Sequence, residues 1–381
     1  MHILPFEATF PIFDRIPSPD TFCAEAKNKF LAYQKMGWLQ STRQKAVYIY
    51  QIDDGHRRHT GLVALNDVRD FLTGKVKKHE KTLSEREQRQ IELFLSWKAI
   101  LKPVLLTYPP VPAISAWMHD FILANKPLFE THFAADNETH RVWMATDPAA
   151  IEFLRGLFVG NVPSVYIADG HHRTSSLALL YSQLKDQHPE LDFANLFCAF
   201  FAADQLDILD YNRVVIGLHG HTPTSFLNCL TRIFDMEPVE NPRKPRKKYE
   251  LKVFLQGHWY RCHWKDGVIA EASTHLHPHA GHTPVLLDVS LLNELVLHRL
   301  LGIRDVRTDA RIVYIEGSKG LKGIRKAVGD SDDRVGFALH PVSFTDMMHM
   351  ADANQSLPPK STYFAPRLKS GILIKLLAAE T

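Results

Sequence analysis

Apolar residues along the chain fall into short runs bounded by turn residues, and into a few helical stretches. Residues 46–53 are rich in β-branched and aromatic types and run into Asp54-Gly55, and Gly61 to Leu65 resumes the apolar run. This pattern predicts a hairpin turning around Asp53 to His59. A charged stretch from Lys77 to Arg89 then feeds an amphipathic helix with apolar Ile91, Phe94, Leu95 and Trp97. Val104 to Tyr108 reads as a strand, Ile114 to Leu123 has helical spacing, and Arg141 to Met144 is again a strand. Asp147-Pro148 starts a helix over 149–158.

The clearest unit follows. Val162 to Ala168 predicts a strand, Asp169 to Thr174 a tight polar turn, and Ser175 to Lys185 a helix with apolar Leu177, Leu180, Tyr181 and Leu184. Leu196 to Ala202 is a buried strand. Residues 236–248 carry three prolines and five basic residues without periodicity, which marks a linker between a domain over 1–235 and a second, smaller α/β domain over 249–381. Beyond it, Leu251 to Leu255 and Trp259 to Trp264 form a hairpin around Gln256-Gly257. Val289 to Leu301 is a helix closed by Gly302, and Arg311 to Ile315 and Gly336 to Leu339 are strands.

A chain of 381 residues that is 45% hydrophobic can bury two or three cores. The net charge of +3 argues against a protein that coats nucleic acid or a membrane surface. Leu196 to Ala203 is the longest greasy stretch and is too short to span a bilayer, and the first residues lack the pattern of a signal peptide. The cytoplasm is the expected compartment. Cys23, Cys198, Cys229 and Cys262 lie too far apart for a zinc site or a disulfide scaffold and are expected as buried free thiols.

The first chemical candidate is Ala168-Asp169-Gly170-His171-His172-Arg173-Thr174-Ser175-Ser176. A strand delivers the turn, glycine folds it sharply, and Thr174 or Ser175 is expected to cap the helix. Free N–H groups and the positive end of the helix dipole then suit a phosphate. Arg173 can add a bidentate contact, Asp169 can hold a divalent cation or orient a hydroxyl, and His171 and His172 can donate hydrogen bonds. In Lys77-Lys78-His79-Glu80-Lys81-Thr82, Glu80 could serve as a general base and the lysines could meet phosphate, although the segment also reads as a solvated charge run.

Asp210-Tyr211-Asn212-Arg213-Val214-Val215 brings polar residues into an apolar strand or turn. In the segment Pro358 to Gly371, Lys360 followed by Ser361 and Thr362 echoes the end of a P-loop, without its glycines. Gly317 to Gly323 lacks Gly-Lys-Ser/Thr and is a weak phosphate nest, and His275, His277, His279 and His282 read as adventitious metal affinity in a Pro/Gly loop.

Ile167 to Arg173, Lys77 to Thr82, Asp210 to Val215 and Pro358 to Gly371 together resemble, in that order, the signatures of the family called domain of unknown function 1015. That family's usual label is ParB-like, which implies an α+β fold with a nucleotide-binding core of the ParB and sulfiredoxin superfamily over 1–235. Within that superfamily the turn is similar to that of free serine kinases, which carry Asp-Gly-x-His-Arg and an upstream catalytic glutamate. Asp169, Gly170, His172 and Arg173 match it residue for residue, and Glu80 matches the acid in type and order. The chain lacks an evident helix-turn-helix segment, and it has histidines where sulfiredoxin places its thiol.

The resemblance implies a kinase that moves a phosphoryl group from ATP or ADP to a small hydroxyl substrate, with free L-serine the first choice. Mg²⁺ on Asp169 and the turn through Ser175 would hold the polyphosphate, helped by Lys78, His79, Asn212, Arg213, Lys360, Ser361 and Thr362. His172 and Arg173 would stabilise the transferring group, and Glu80 would take the hydroxyl proton. A nucleotide-binding switch protein without turnover is the alternative. No membrane or nucleic-acid partner is expected, and a homodimer is left open.

Overall fold

The computed structural model describes residues 1–276 and 285–377, with the backbone alone at 275 and 276. The metal affinity expected of His275 to His282 lies outside the described side chains. The chain divides into two compact units, Met1–Asp207 with Pro366–Thr381, and Ile208–Ala365.

The first unit is built on an eight-stranded mixed sheet. Its order is Val76–Lys77, Val165–Asp169, Val104–Tyr108, Asn195–Ala202, Arg58–Asp67, Val47–Asp53, Glu138–Ala145 and Phe129–Phe133. Two adjacent pairs are parallel, Val165–Asp169 with Val76–Lys77 and Asn195–Ala202 with Val104–Tyr108, and the rest are antiparallel. Asn195–Ala202 is buried at every position but the first, which explains its unbroken apolar run. The expected hairpin is present, with Asp53 paired to Arg58. Helix Pro148–Asn161 starts as its sequence predicts: the Asp147 carboxylate accepts from the N–H groups of Ala149 and Ala150 at 3.3 and 3.1 Å, and Pro148 occupies the first turn. The helix Pro19–Lys35 has the same kind of start, with Ser18 as its cap, although its interior pattern is not strongly amphipathic.

Gly61 shows how tightly the middle of this sheet is packed. A Cβ there would lie 2.4 Å from Phe201 Cδ2 and 2.6 Å from the Phe200 carbonyl oxygen. Backbone cannot yield as a flexible side chain can. Gly61→Val is therefore expected to cost about 3 kcal/mol, the upper part of the range for overpacked cores, read as a lower urea midpoint at unchanged m-value. A midpoint equal to that of the wild type would contradict this packing.

The second unit carries a six-stranded antiparallel sheet in the order Phe234–Val239, His258–Trp264, Glu250–Leu255, Arg334–Leu339, Tyr211–Ile216 and Ile312–Glu316. Gln256 and Gly257, both at positive φ, turn the expected hairpin. The helix expected over 289–301 is present as Asp288–Leu291 continued by a π-helical stretch, Leu292–His298.

The division of the chain differs from the expected linker over 236–248. Phe234 to Val239 is an edge strand paired with Trp264 to Trp259, and an edge tolerates Pro238 because one side of it makes no ladder bonds. Lys244, further along the basic segment, binds Asp210 Oδ1 at 3.2 Å and the Gly317 carbonyl at 2.7 Å. The Pro-rich segment is thus part of the body of the second unit. The four cysteines are free, three of them buried and Cys229 half-buried. Among the described residues no helix is long and apolar enough to cross a membrane.

Candidate functional site

Strand Val165–Asp169 ends at the carboxylate of Asp169, and helix His171–Gln183 begins two residues later. The turn is shorter than its polar run suggests. Gly170, at φ 111°, is itself the N-cap, so His171 to Thr174 form the first helical turn instead of a loop before it. Thr174 is buried and its hydroxyl donates to the Gly170 carbonyl at 3.2 Å. Neither Thr174 nor Ser175 is the cap, and Ser175 lies half-buried a further residue along the helix. Glycine supplies no capping side chain, so the cap residue itself offers the first N–H groups of the helix no side-chain acceptor. A Cβ on Gly170 would lie 2.7 Å from Arg173 Nη2, so the guanidinium folds back over the glycine.

Register explains which residues meet here. Val165 and Tyr166 run parallel to Val76 and Lys77, so Lys78, His79 and Glu80 leave the edge strand at the same end as Asp169. Strand Val104–Tyr108 runs the opposite way, with Leu105 opposite Asp169, so Lys102 and Pro103 enter at that end too. Glu80 Oε2 comes to 3.8 Å from His171 Nδ1, and the rings of His79 and His171 meet edge to face at 4.6 Å. Asp169 Oδ2 accepts from Arg173 Nη2 at 3.0 Å and is 3.2 Å from Lys102 Nζ; Arg173 Nη2 also reaches the Pro103 carbonyl at 3.3 Å. His171 Nε2, His172 Nδ1 and Arg173 Nε are buried without a hydrogen-bond partner among the described residues. Lys78 is exposed.

The electrostatics follow from this geometry. Burial alone would raise the Asp169 carboxyl, but Arg173 and Lys102, with Arg367 beyond them, hold it far below the usual range. Burial pushes Lys102 down to about 8, against the pull of Asp169 and with the repulsion of Arg173 and Arg367. Burial likewise keeps His171 well below its ordinary value, with His79 adding to the effect, and lowers His172, which stands near Arg86 and Glu87.

His79 is fully buried, and its enclosure pushes it down to about 4. The unfolded chain protonates this imidazole near its ordinary value of about 6.5, so the unfolded state binds more protons between the two values. Stability from His79 is therefore complete above about pH 6.5 and lost as pH falls toward 4, by about 3 kcal/mol. Urea midpoints across that window should fall for the wild type and fall less steeply for His79→Phe, in which the other lowered histidines still titrate. An equal slope in both would contradict the assignment.

Three cations of this site were not singled out in the sequence: Lys27, Lys102 and Arg367. Arg367 acts on Asp169 and Lys102, and Lys27, on helix Pro19–Lys35, is lowered by burial and by Arg173 while Asp169 opposes the shift. Only Arg367 had a signal, its place inside the family-like segment Pro358 to Gly371.

The remaining expected residues belong to the second unit and brace it. Asn212 is wholly buried, donating to Asp210 and accepting from the Leu339 N–H at 3.0 Å. Arg213, 1% exposed, donates to the Tyr211 carbonyl and, at 2.9 Å, to that of Lys360, with its guanidinium 5.5 Å from the Tyr314 ring. Lys360 Nζ lies over the Tyr211 ring, Ser361 donates to the Pro358 carbonyl at 2.6 Å, and Thr362 is buried. The contacts of Arg213 and Ser361 help to hold the loop 358–362 within the second unit.

A magnesium ion held by Asp169 does not fit these residues. Its Oδ2 already meets Arg173 and Lys102, whose charges oppose a divalent ion there.

Among solved structures, the chain is similar to SbnI with C-terminal truncation from Staphylococcus aureus, at 12% identity and a TM-score of 0.41 over 81% of this chain and 85% of that one. It is similar to a mutant of free serine kinase in complex with ADP, at 14% identity and a TM-score of 0.39 over 83% and 92%. It is also similar to a conserved hypothetical protein from Pyrococcus furiosus, at 13% identity and a TM-score of 0.35 over 82% and 95%. No curated protein matches. The family model described as Protein of unknown function (DUF1015) matches residues 12–290, and the chain belongs to that family.

Proposed function

We propose that the chain is a phosphotransferase with a ParB-like nucleotide-binding core, which moves the terminal phosphoryl group of ATP or ADP to a small hydroxyl compound, free L-serine being the first acceptor to test. The observation that carries this reading is the approach of Glu80 to within 3.8 Å of His171, on the first turn of the helix that follows Asp169. A carboxylate and a cationic helix start thereby share one end of one sheet. Phosphoryl transfer asks for little more than alignment and charge neutralisation.

The first N–H groups of the helix and Arg173 would hold the transferring phosphoryl oxygens. Glu80 would accept the proton of the acceptor hydroxyl as its oxygen forms a bond to the terminal phosphorus. The bridging P–O bond breaks at the same centre, and ADP or AMP leaves with the electron pair. His171, kept neutral by burial, lies beside Glu80 and orients it, while His172, under the influence of Arg86 and Glu87, has the weaker claim to the transferring group.

The test is incubation of the protein with ATP or ADP, Mg²⁺ for the nucleotide, and a panel of hydroxyl compounds headed by L-serine, with product followed by mass. A phosphorylated acceptor is expected. Tight nucleotide binding with no product from any acceptor would replace this reading with that of a nucleotide-dependent switch.

A further inference from the structure

We propose that this end of the sheet is a pyrophosphate cradle that neutralises its ligand with four side-chain cations, Lys27, Lys102, Arg173 and Arg367, without a metal ion on Asp169. The inference rests on the phosphotransferase reading for its ligand class and departs from it in the chemistry of binding. The four cations come from separate stretches of chain: helix Pro19–Lys35, the approach to strand Val104–Tyr108, helix His171–Gln183 and the segment after Pro366. All four belong to the first unit; Lys102 and Arg173 contact Asp169, and Lys27 and Arg367 lie within electrostatic reach of this cluster.

Asp169 is the hub. Lys102 and Arg173 both meet its Oδ2, at 3.2 and 3.0 Å, and Arg367 and Lys27 act on it from further out. Even with Glu80 counted beside Asp169, positive charge is in excess, and Lys102 and Arg173 carry that excess largely out of solvent, at 16% and 15% exposure. Like charges held together in a poorly solvated site raise the free energy of the folded chain, and a bound polyanion offsets that cost. The buried Nε of Arg173, without a hydrogen-bond partner among the described residues, and the glycine-capped helix start offer the directional donors that such an anion needs. A divalent ion on Asp169 would stand in contact range of Lys102 and Arg173, and repulsion from both would oppose it. Asp169 therefore organises cations; the anion is held by them.

The test is titration calorimetry of the full chain with sodium pyrophosphate in EDTA, with sulfate as the control for general anion affinity. Lys27 and Arg367 are exposed, so Lys27→Ala and Arg367→Met leave the core untouched. Pyrophosphate is expected to bind in EDTA and more tightly than sulfate, each variant is expected to weaken it about tenfold or more, and Mg²⁺ is expected to leave the affinity unchanged or lower it. Binding that requires Mg²⁺, or affinities unaltered in both variants, would overturn the cradle while leaving phosphoryl transfer intact. Absence of pyrophosphate binding under every condition also overturns it. Product in the acceptor assay would then still support the phosphotransferase, and its absence would remove both.

Discussion

Glu80→Gln is expected to slow phosphoryl transfer by roughly 10²- to 10⁴-fold, the range that a lost general base accounts for, while the protein still binds nucleotide. The substitution keeps the shape of the side chain and its reach toward His171, and removes the ability to take a proton. Because its place is on the acceptor side in this reading, the stabilisation conferred by nucleotide should be the same in both proteins. Single-turnover rates with saturating nucleotide and acceptor separate the chemical step from binding. Equal rates in wild type and variant would leave the enzyme standing and remove Glu80 as its base. A loss of nucleotide affinity in step with the rate would make Glu80 part of the cradle.

Arg173→Ala should have the second largest effect, and of the opposite kind. A ligand present at 100 times its dissociation constant stabilises a protein by about 2.7 kcal/mol, and this gain is expected in the wild type with ATP or ADP. Removing the guanidinium takes away the donor that lies over Gly170 and one of the two cations that meet Asp169 Oδ2, so the gain should vanish. Asp169→Asn acts through the apo protein as well. It strands Lys102 and Arg173 without their shared carboxylate and should lower stability by about 2 kcal/mol, less than for a fully buried pair because the carboxylate is 32% exposed. A melting temperature that rises equally with nucleotide in wild type and Arg173→Ala would remove the turn from the phosphate site.

Much of the fold is legible along the chain because local rules and burial agree there. The apolar run at Asn195–Ala202 and the Gln256-Gly257 hairpin are examples. Where the reading slipped, one residue played a role that its type does not advertise. Gly170 caps a helix through its backbone, so four polar residues that looked like a turn became the first helical turn. Pro238 sits on a sheet edge, so a segment that looked like a linker begins as strand.

The site was legible at Asp169, Gly170 and Arg173, where the chemistry is contiguous, and at Glu80 only as a type of residue in a given order. Its nearness to His171 comes from a two-residue parallel pairing that no local pattern announces. Lys27, Lys102 and Arg367 were not legible, since residues so distant along the chain meet only through sheet order. Asn212 and Arg213 were legible as unusual, and both are buried within the second unit, where Arg213 donates to the carbonyl of the exposed Lys360.

The most direct measurement is a crystal structure of the protein with bound ADP or a non-hydrolysable ATP analogue. The account predicts phosphate oxygens on the N–H groups of His171 and its neighbours, with Arg173, Lys102 and Arg367 around them and the Glu80 carboxylate facing the terminal phosphorus from the acceptor side. Phosphates bound away from the Gly170 turn, or a Glu80 carboxylate directed away from the terminal phosphorus, would contradict it.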